Sequence, residues 1–125
     1  MPLAAGEVIV ALSLREVIEI LDCRVFSGEG MIDQITVEYG CATDLMSDAL
    51  ALSKPGSLLL TGMTDAQVVR TAVVASMAAV VIVHGKKPLQ DAIDLAEMKG
   101  MPLLGTDLFM FEAAGRLHAS NLPGR

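Results

Sequence analysis

Two short polar segments carry the residue types that could bind an anion. Thr61-Gly62-Met63-Thr64 offers backbone N–H groups and two hydroxyls, and His84-Gly85-Lys86-Lys87 offers two ammonium groups and an imidazole. Backbone N–H groups that lead into a helix and lysine side chains are common ligands of phosphate and carboxylate groups. The sequence therefore predicts a binding site for a small anionic metabolite or a nucleotide. The predicted ligand-binding residues in these segments are Thr61, Gly62, Thr64, His84, Gly85, Lys86 and Lys87.

Asp44 and Ser47 extend this predicted site. They belong to a polar cluster that ends in Asp48, and Asp44 is also the expected N-cap of a helix predicted over residues 44–52. Ser47 lacks the G-x-S-x-G surroundings of a nucleophilic serine. We therefore predict no catalytic residue, and a small hydrolase or transferase that uses Ser47 or Cys41 is the weaker alternative.

Each of these features also has an ordinary structural explanation. The first segment can be a strand-to-helix turn capped by a threonine, and the two lysines can be solvent-exposed loop residues. One glycine between two threonines is far less specific than a GxxxxGK[ST] loop. Ser47 can belong to the polar face of a helix. The residue types alone leave these explanations open beside the binding site.

Three aliphatic segments precede polar loops and are predicted to be strands. They are Ser57–Leu60, Ala79–Val83 and Leu103–Leu104, and segments with helical periodicity separate them. Because strands that alternate with helices form parallel sheets, we predict a three-layer α/β/α fold with a largely parallel or mixed central sheet. The loops that follow these strands, Thr61–Thr64, His84–Lys87 and Gly105–Asp107, are then expected to converge where open α/β sheets bind ligands.

Local signals predict the ends of the helices. Ser13-Leu14-Arg15-Glu16 is a capping box that predicts a helix over residues 14–22, and Thr64-Asp65-Ala66-Gln67 is a second box. Gly100 is expected to end the helix that covers residues 89–99. Thr106 or Asp107 is expected to cap a final helix that reaches about residue 119.

The first third of the chain is less regular. Cys23–Phe26 and Ile35–Tyr39 read as strands separated by a turn at Ser27–Gly30, and we expect them to pair like a hairpin. Residues 7–11 fit either a short strand or part of a loosely attached terminus. We predict one domain over residues 1–125, in which residues 1–12 are the segment that could be loosely attached.

The amino-acid composition limits the kinds of partner that this chain can bind. A formal net charge of −6 and an isoelectric point near 4.7 oppose binding to nucleic acid, because that affinity depends on clustered basic residues. The longest apolar run, Ala72–Val83, contains Ser76 and is too short to cross a bilayer. Cys23 and Cys41 have no metal-ligand spacing. We therefore predict a cytoplasmic protein that binds no metal, cofactor, membrane or nucleic acid.

The apolar fraction predicts self-association. Hydrophobic residues make up 53% of a chain of 125 residues, whereas aromatic residues make up only 3%. A domain of this size has limited interior in which to bury such a fraction. Because a second copy commonly covers surplus aliphatic surface, we expect a homodimer.

A longer pattern resembles a known family. YGCATDLMSDALALSKPGSLLLTGMTDAQVVRTAVVASMAAVVIVHGKKP, followed by GMPLLGTDLFMFEAAGRL, closely resembles the stand-alone DRTGG-domain proteins of anaerobic bacteria and archaea. The resemblance covers about residues 10 to 120, and DLMSDAL with KPGSLLLTG is its most specific part. The Asp-Arg-Thr-Gly-Gly string itself is absent, and its nearest match is Thr64–Thr71 with its flanks. The amino-terminal domains of HPr kinase/phosphorylase and of the Mur ligases are similar at greater distance.

This resemblance implies a three-layer α/β domain, like the amino-terminal domain of HPr kinase, that self-associates and regulates or presents a partner without catalysis. Together with the polar loops, it predicts a regulatory or ligand-sensing module that binds a small anion at the strand ends. The alternative is a homodimerisation or protein-interaction module without a small ligand. A protein partner is compatible with both.

Overall fold

Strands and helices alternate along most of the chain in the computed structural model, which describes residues 11–124. The strands are β1 (Leu12–Ser13), β2 (Arg24–Ser27), β3 (Thr36–Val37), β4 (Tyr39–Ala42), β5 (Ser57–Thr61), β6 (Ala79–Ile82) and β7 (Leu103–Gly105). The α-helices are α1 (Leu14–Leu21), α2 (Met46–Leu52), α3 (Ala66–Val74), α4 (Gln90–Lys99) and α5 (Met110–Ala119). A 3-10 helix, Glu29–Gln34, lies between β2 and β3.

Five strands form one sheet in the order β2-β7-β6-β5-β4. The strands from β4 to β7 are parallel, with Leu58 opposite Ala79 and Val80 opposite Leu103. β2 joins antiparallel to β7, so that Arg24 lies opposite Gly105. The predicted side-by-side, parallel arrangement of the three aliphatic segments is confirmed, and β2 makes the sheet mixed.

Helices cover both faces of this sheet. Leu58, Leu60 and Val81 pack against α1 and α5, whereas Leu59 and Val80 pack against α2, α3 and α4. Successive residues of a strand point to opposite faces, so uninterrupted aliphatic strands supply two cores at once. Burial of each such side chain contributes about 1.5–3 kcal/mol. The predicted three-layer α/β/α fold is confirmed.

Two helix ends follow their predicted signals, and one does not. In the capping box of α1, the Glu16 N–H donates to Ser13 Oγ and the Ser13 N–H donates to Glu16 Oε1, both at 3.0 Å. Gly100 ends α4 with a φ of 66°, a left-handed conformation that glycine adopts at low cost. At the start of α3 the N-cap is Asp65 and not Thr64, because the Asp65 carboxylate accepts the N–H of Gln67 at 3.2 Å.

The predicted cap of the final helix is wrong. The N-cap residue of α5 is Phe109, and neither Thr106 nor Asp107 occupies that position. Thr106 is buried, and its hydroxyl donates to the carbonyl oxygen of Leu21 at 2.6 Å and accepts the N–H of Leu108 at 3.2 Å. This hydroxyl therefore ties the end of β7 to the end of α1.

The predicted hairpin between residues 23–26 and 35–39 is also wrong. β2 pairs with β7, while β3 pairs antiparallel with β1, with Leu12 opposite Val37. The 3-10 helix that separates β2 from β3 buries Ile32 in the core, so the chain does not reverse in a tight turn. Residues 7–10 of the segment considered as a first strand lie outside the described residues.

The two-sided burial of the sheet predicts a large effect of truncation at its centre. We expect Leu59→Ala to lower the free energy of unfolding by about 2–5 kcal/mol, because the side chain is completely buried and its loss leaves a cavity. Leu50→Ala is the matched control, since Leu50 is 50% exposed and its truncation is expected to cost less than about 1 kcal/mol. Urea denaturation measures both. Equal losses would contradict this account of the core.

Candidate functional site

The carboxyl ends of four parallel strands meet at one edge of the sheet, which we call the strand-end edge. Asp44 follows β4, Gly62 follows β5, the segment 84–87 follows β6 and Asp107 follows β7. Neighbouring parallel strands end side by side because their ladder aligns them. The polar loops predicted to converge therefore do so.

Asp44 is held by the neighbouring loop. Its Oδ1 accepts the N–H of Gly62 at 2.6 Å and the hydroxyl of Thr61 at 3.0 Å. The expectation that Asp44 caps α2 is wrong, because Leu45 is the residue that precedes this helix. The carboxylate reaches across to β5, where it satisfies the N–H of a buried glycine.

The surroundings of Asp44 favour its charged form. The hydrogen bond from the Gly62 N–H lowers the pKa of the Asp44 carboxyl below its ordinary value, and burial opposes this shift. The Thr61 hydroxyl and the positive charges of Lys86 and His84 lower the pKa further. Hydrogen bonds and cations stabilise a carboxylate relative to the carboxylic acid. The strand-end edge therefore carries a fixed negative charge at physiological pH.

Lys86 brings a positive charge to the same place. Its Nζ donates to the carbonyl oxygen of Gly62 at 3.1 Å. A Cβ added to Gly62 would lie 3.5 Å from both Asp44 carboxylate oxygens and 3.5 Å from Lys86 Nζ. Opposite charges from two different loops thus meet over one glycine, and together they bind both the N–H and the carbonyl of its backbone.

The turn after β5 is largely occupied by these internal contacts. The Gly62 N–H is bound to Asp44, and the Met63 N–H donates to Thr61 Oγ1 at 3.2 Å. Helix α3 begins only at Ala66. The backbone of residues 61–64 therefore does not lead directly into a helix, contrary to the prediction, and the exposed side chains of the next loop are the more accessible anion ligands.

The loop after β6 is fixed in an unusual conformation. His84 and Gly85 both have positive φ angles, 69° and 68°. Their N–H groups donate to the carbonyl oxygens of Leu108 at 2.8 Å and Thr106 at 2.9 Å. A histidine in the left-handed region is uncommon, and such conformations persist where surrounding bonds hold them, often at binding sites.

The remaining predicted residues are spread along or away from this edge. Lys87 is exposed beside Lys86. Thr64 contributes its carbonyl oxygen, which accepts the N–H of Leu89 at 2.9 Å and so links two loops. Ser47 is exposed in the first turn of α2, and among the described residues no hydrogen bond joins it to the other members of the predicted site.

Two residues at this edge, Phe109 and Arg24, were not predicted from the sequence. The Phe109 ring lies 4.6 Å from the His84 ring, centroid to centroid. Arg24 forms an ion pair with Asp107 at 3.0 Å. The sequence did contain a signal for Phe109, because an aromatic residue just after a predicted strand-end loop can lie at the same edge. Arg24 had none, because only the antiparallel placement of β2 brings it to this edge.

The part of the chain that the structure describes offers no candidate for two other kinds of site. No group of three His, Cys, Asp or Glu side chains is arranged so that it could hold a metal ion. None of the described helices has the length and apolar content that a membrane crossing requires.

Replacement of Asp44 separates its hydrogen bonds from its charge. We expect Asp44→Ala to lower the free energy of unfolding by about 1–3 kcal/mol, because the buried Gly62 N–H loses its acceptor. Asp44→Asn retains an acceptor and is expected to cost less. Urea denaturation of both variants at neutral pH measures these losses, and equal losses would contradict the role assigned to the Gly62 contact.

The same carboxylate predicts a dependence of stability on pH. Because the pKa of Asp44 is lowered in the folded state, its charge stabilises the fold above the ordinary carboxyl pKa of about 3.9, and this contribution is lost as the pH falls through the lower folded-state value. The stability difference between the natural chain and Asp44→Asn is therefore expected to shrink between pH 7 and about pH 3. A constant difference would show that the charge has no role.

Comparisons with known proteins agree with this architecture. The fold is similar to the crystal structure of the CBS and DRTGG domains of the regulatory region of Clostridium perfringens pyrophosphatase, which is in complex with its activator, diadenosine tetraphosphate. The TM-score is 0.71 at 16% sequence identity, and the match covers 89% of this chain and 47% of that chain, about half its length. No curated protein sequence matches this chain. The family model of the DRTGG domain matches residues 16–120, and the chain therefore belongs to the DRTGG domain family.

Proposed function

We propose that this chain is a non-catalytic regulatory domain that binds a small anionic ligand at the strand-end edge. The observation that carries the proposal is the fixed position of Lys86, whose ammonium group is bound to the Gly62 carbonyl oxygen at 3.1 Å. Lys87 is adjacent and exposed. The loop that holds both lysines starts from the constrained residues His84 and Gly85.

The charges at this edge limit where an anion can bind. An ammonium group has three N–H donors, and Lys86 uses one of them on Gly62. The Asp44 carboxylate occupies the Gly62 N–H and repels a second anion there. The anion is therefore expected on the side of Lys86 that faces Lys87. The ion pairs among residues 11–124 are Arg15–Asp33, Arg24–Asp107 and Arg116–Glu112, so within this part of the chain neither lysine forms a direct ion pair.

The structural neighbour supports a regulatory class of function. The region of the pyrophosphatase that resembles this chain is part of a regulatory region crystallised with a nucleotide activator. That complex contains CBS domains as well as the DRTGG domain, and this chain matches 47% of it. The neighbour therefore supports regulation through ligand binding as the class of function.

The environment of Cys41 opposes a role for this residue as a catalytic nucleophile. Burial raises the pKa of the Cys41 thiol, and the nearby negative charge of Asp48 raises it further. The thiolate is the reactive form of cysteine, so a raised pKa opposes a nucleophilic role. Cys23 and Cys41 are both unpaired. Free thiols fit a reducing compartment, and we propose a cytoplasmic location on that ground.

Titration of defined anions tests the proposed site. We expect at least one of inorganic phosphate, pyrophosphate, ribose 5-phosphate and AMP to bind in isothermal calorimetry and to raise the melting temperature. Lys86→Gln and Lys87→Gln are each expected to weaken that binding by about 10- to 100-fold, since a hydrogen bond to a charged group contributes about 1.5–3 kcal/mol. Lys99→Gln is the matched control, because Lys99 ends α4 at the opposite edge of the sheet. The absence of heat with all four anions would refute the proposal.

A second candidate function is self-association without a small ligand. Phe111 is 93% exposed on α5, and an exposed apolar side chain that continues an apolar surface is typical of an interaction site. It borders an apolar groove of about 370 Å³ between α5 and the edge strand β4. Residues that line the groove include Gly40, Cys41, Leu60, Ala114, Gly115 and Leu122. We propose that a second copy of the chain covers this surface.

Sedimentation velocity tests the homodimer. We expect Phe111→Ser to shift the chain toward the monomer, because it removes the largest exposed apolar side chain beside the groove. Met98→Ser is the matched control, since Met98 is 77% exposed on α4 in the other helical layer. A monomer for the natural chain at high concentration, or equal sedimentation of all three proteins, would refute self-association through α5.

A further inference from the structure

We infer that the anion is carried by a ligand with a planar ring, of the nucleotide class, whose ring packs on Phe109 beside His84 while its phosphate lies at Lys86 and Lys87. This inference rests on the proposed function and narrows its ligand. The two parts of the ligand would contact two places, the loop after β6 and the N-cap residue of α5.

The exposed ring of Phe109 is the first argument. Phe109 is 67% exposed at the strand-end edge, in a chain that contains only three phenylalanines, one tyrosine and no tryptophan. Its ring is nevertheless positioned, because it lies 4.6 Å from the His84 ring at an interplanar angle of 51°. Aromatic rings that are exposed but held in place are the surfaces on which nucleobases stack.

The fixed backbone of His84 is the second argument. Its N–H is bound to the carbonyl oxygen of Leu108 at 2.8 Å, the residue directly before Phe109. His84 has a strained left-handed conformation and is also the first residue of the loop that carries Lys86 and Lys87. The position of the His84 and Phe109 rings is therefore fixed relative to the start of this loop. Without this bond, the histidine could relax to an ordinary conformation and the two rings would separate.

The spacing of ring and charge is the third argument. Lys87 follows His84 by three residues, so their Cα atoms are at most about 11 Å apart. This is the length scale of a base, a pentose and a phosphate. The Asp44 carboxylate lies beside Lys86 Nζ over Gly62, so its negative charge disfavours a phosphate at Gly62 and leaves Lys87 as the less hindered ligand. An anion without a ring would leave Phe109 exposed.

Calorimetric titration of the full chain with AMP, GMP, CMP and UMP, and with adenosine and ribose 5-phosphate, tests the inference. We expect at least one nucleotide to bind more tightly than ribose 5-phosphate, and its nucleoside to bind weakly. Phe109→Ala is expected to weaken nucleotide binding by roughly 5- to 100-fold, the usual loss when a stacking side chain is removed, and to leave ribose 5-phosphate unaffected. Met98→Ala is the control and is expected to bind as the natural chain does, because Met98 is 77% exposed near the end of α4, at the opposite edge of the sheet.

The outcomes separate this inference from the proposed function. If ribose 5-phosphate binds as tightly as every nucleotide and Phe109→Ala changes nothing, the ring site is refuted and the anion site stands. If neither the nucleotides nor the phosphates bind, both are refuted. If Phe109→Ala fails to fold, proton NMR of the natural chain decides, because a stacked base must shift the ring resonances of His84 and Phe109. Saturating nucleotide without such shifts would overturn the inference.

Discussion

The parallel pairing of β4, β5, β6 and β7 is the constraint on which the rest of the structure depends. These strands are buried between two helical layers, so their backbone N–H and carbonyl groups must pair with one another. Pairing in one direction brings their carboxyl ends to a single edge, and the crossover helices must return along both faces. The site residues are neighbours because of this ladder, although the sequence separates them widely.

Hydrogen bonds to Gly62 link the ends of neighbouring strands. Its N–H is bound by Asp44 from the loop after β4, and its carbonyl oxygen is bound by Lys86 from the loop after β6. Three adjacent strand ends are therefore joined through one residue by charged hydrogen bonds, which are stronger than neutral ones. The Asp44 carboxylate and the Lys86 ammonium group have different roles. Asp44 accepts the N–H of Gly62, whereas Lys86 uses one of its three N–H donors on the Gly62 carbonyl oxygen.

Helix α5 connects the two surfaces that could have a partner. Phe109 is at its start, beside His84 on the strand-end edge, and Phe111 lines the groove against β4. Phe109 is the N-cap residue and Phe111 is the second residue of the helix, so one short segment carries both rings. Both rings are exposed in a chain that is poor in aromatic residues. A ligand at one surface and a second copy at the other would thus contact the same helix.

Local and periodic features of this protein were readable from the sequence. The capping box at Ser13, the end of α4 at Gly100 and the alternation that makes a parallel sheet depend on residues that are close in sequence, and the family resemblance required no coordinates. The role of Asp44, the antiparallel placement of β2 and the contact of His84 with Phe109 were decided only by the tertiary structure. These contacts join residues that are far apart in sequence, 18 positions for Asp44 and Gly62 and 83 for Arg24 and Asp107, and the order of strands in the sheet determines which distant residues meet.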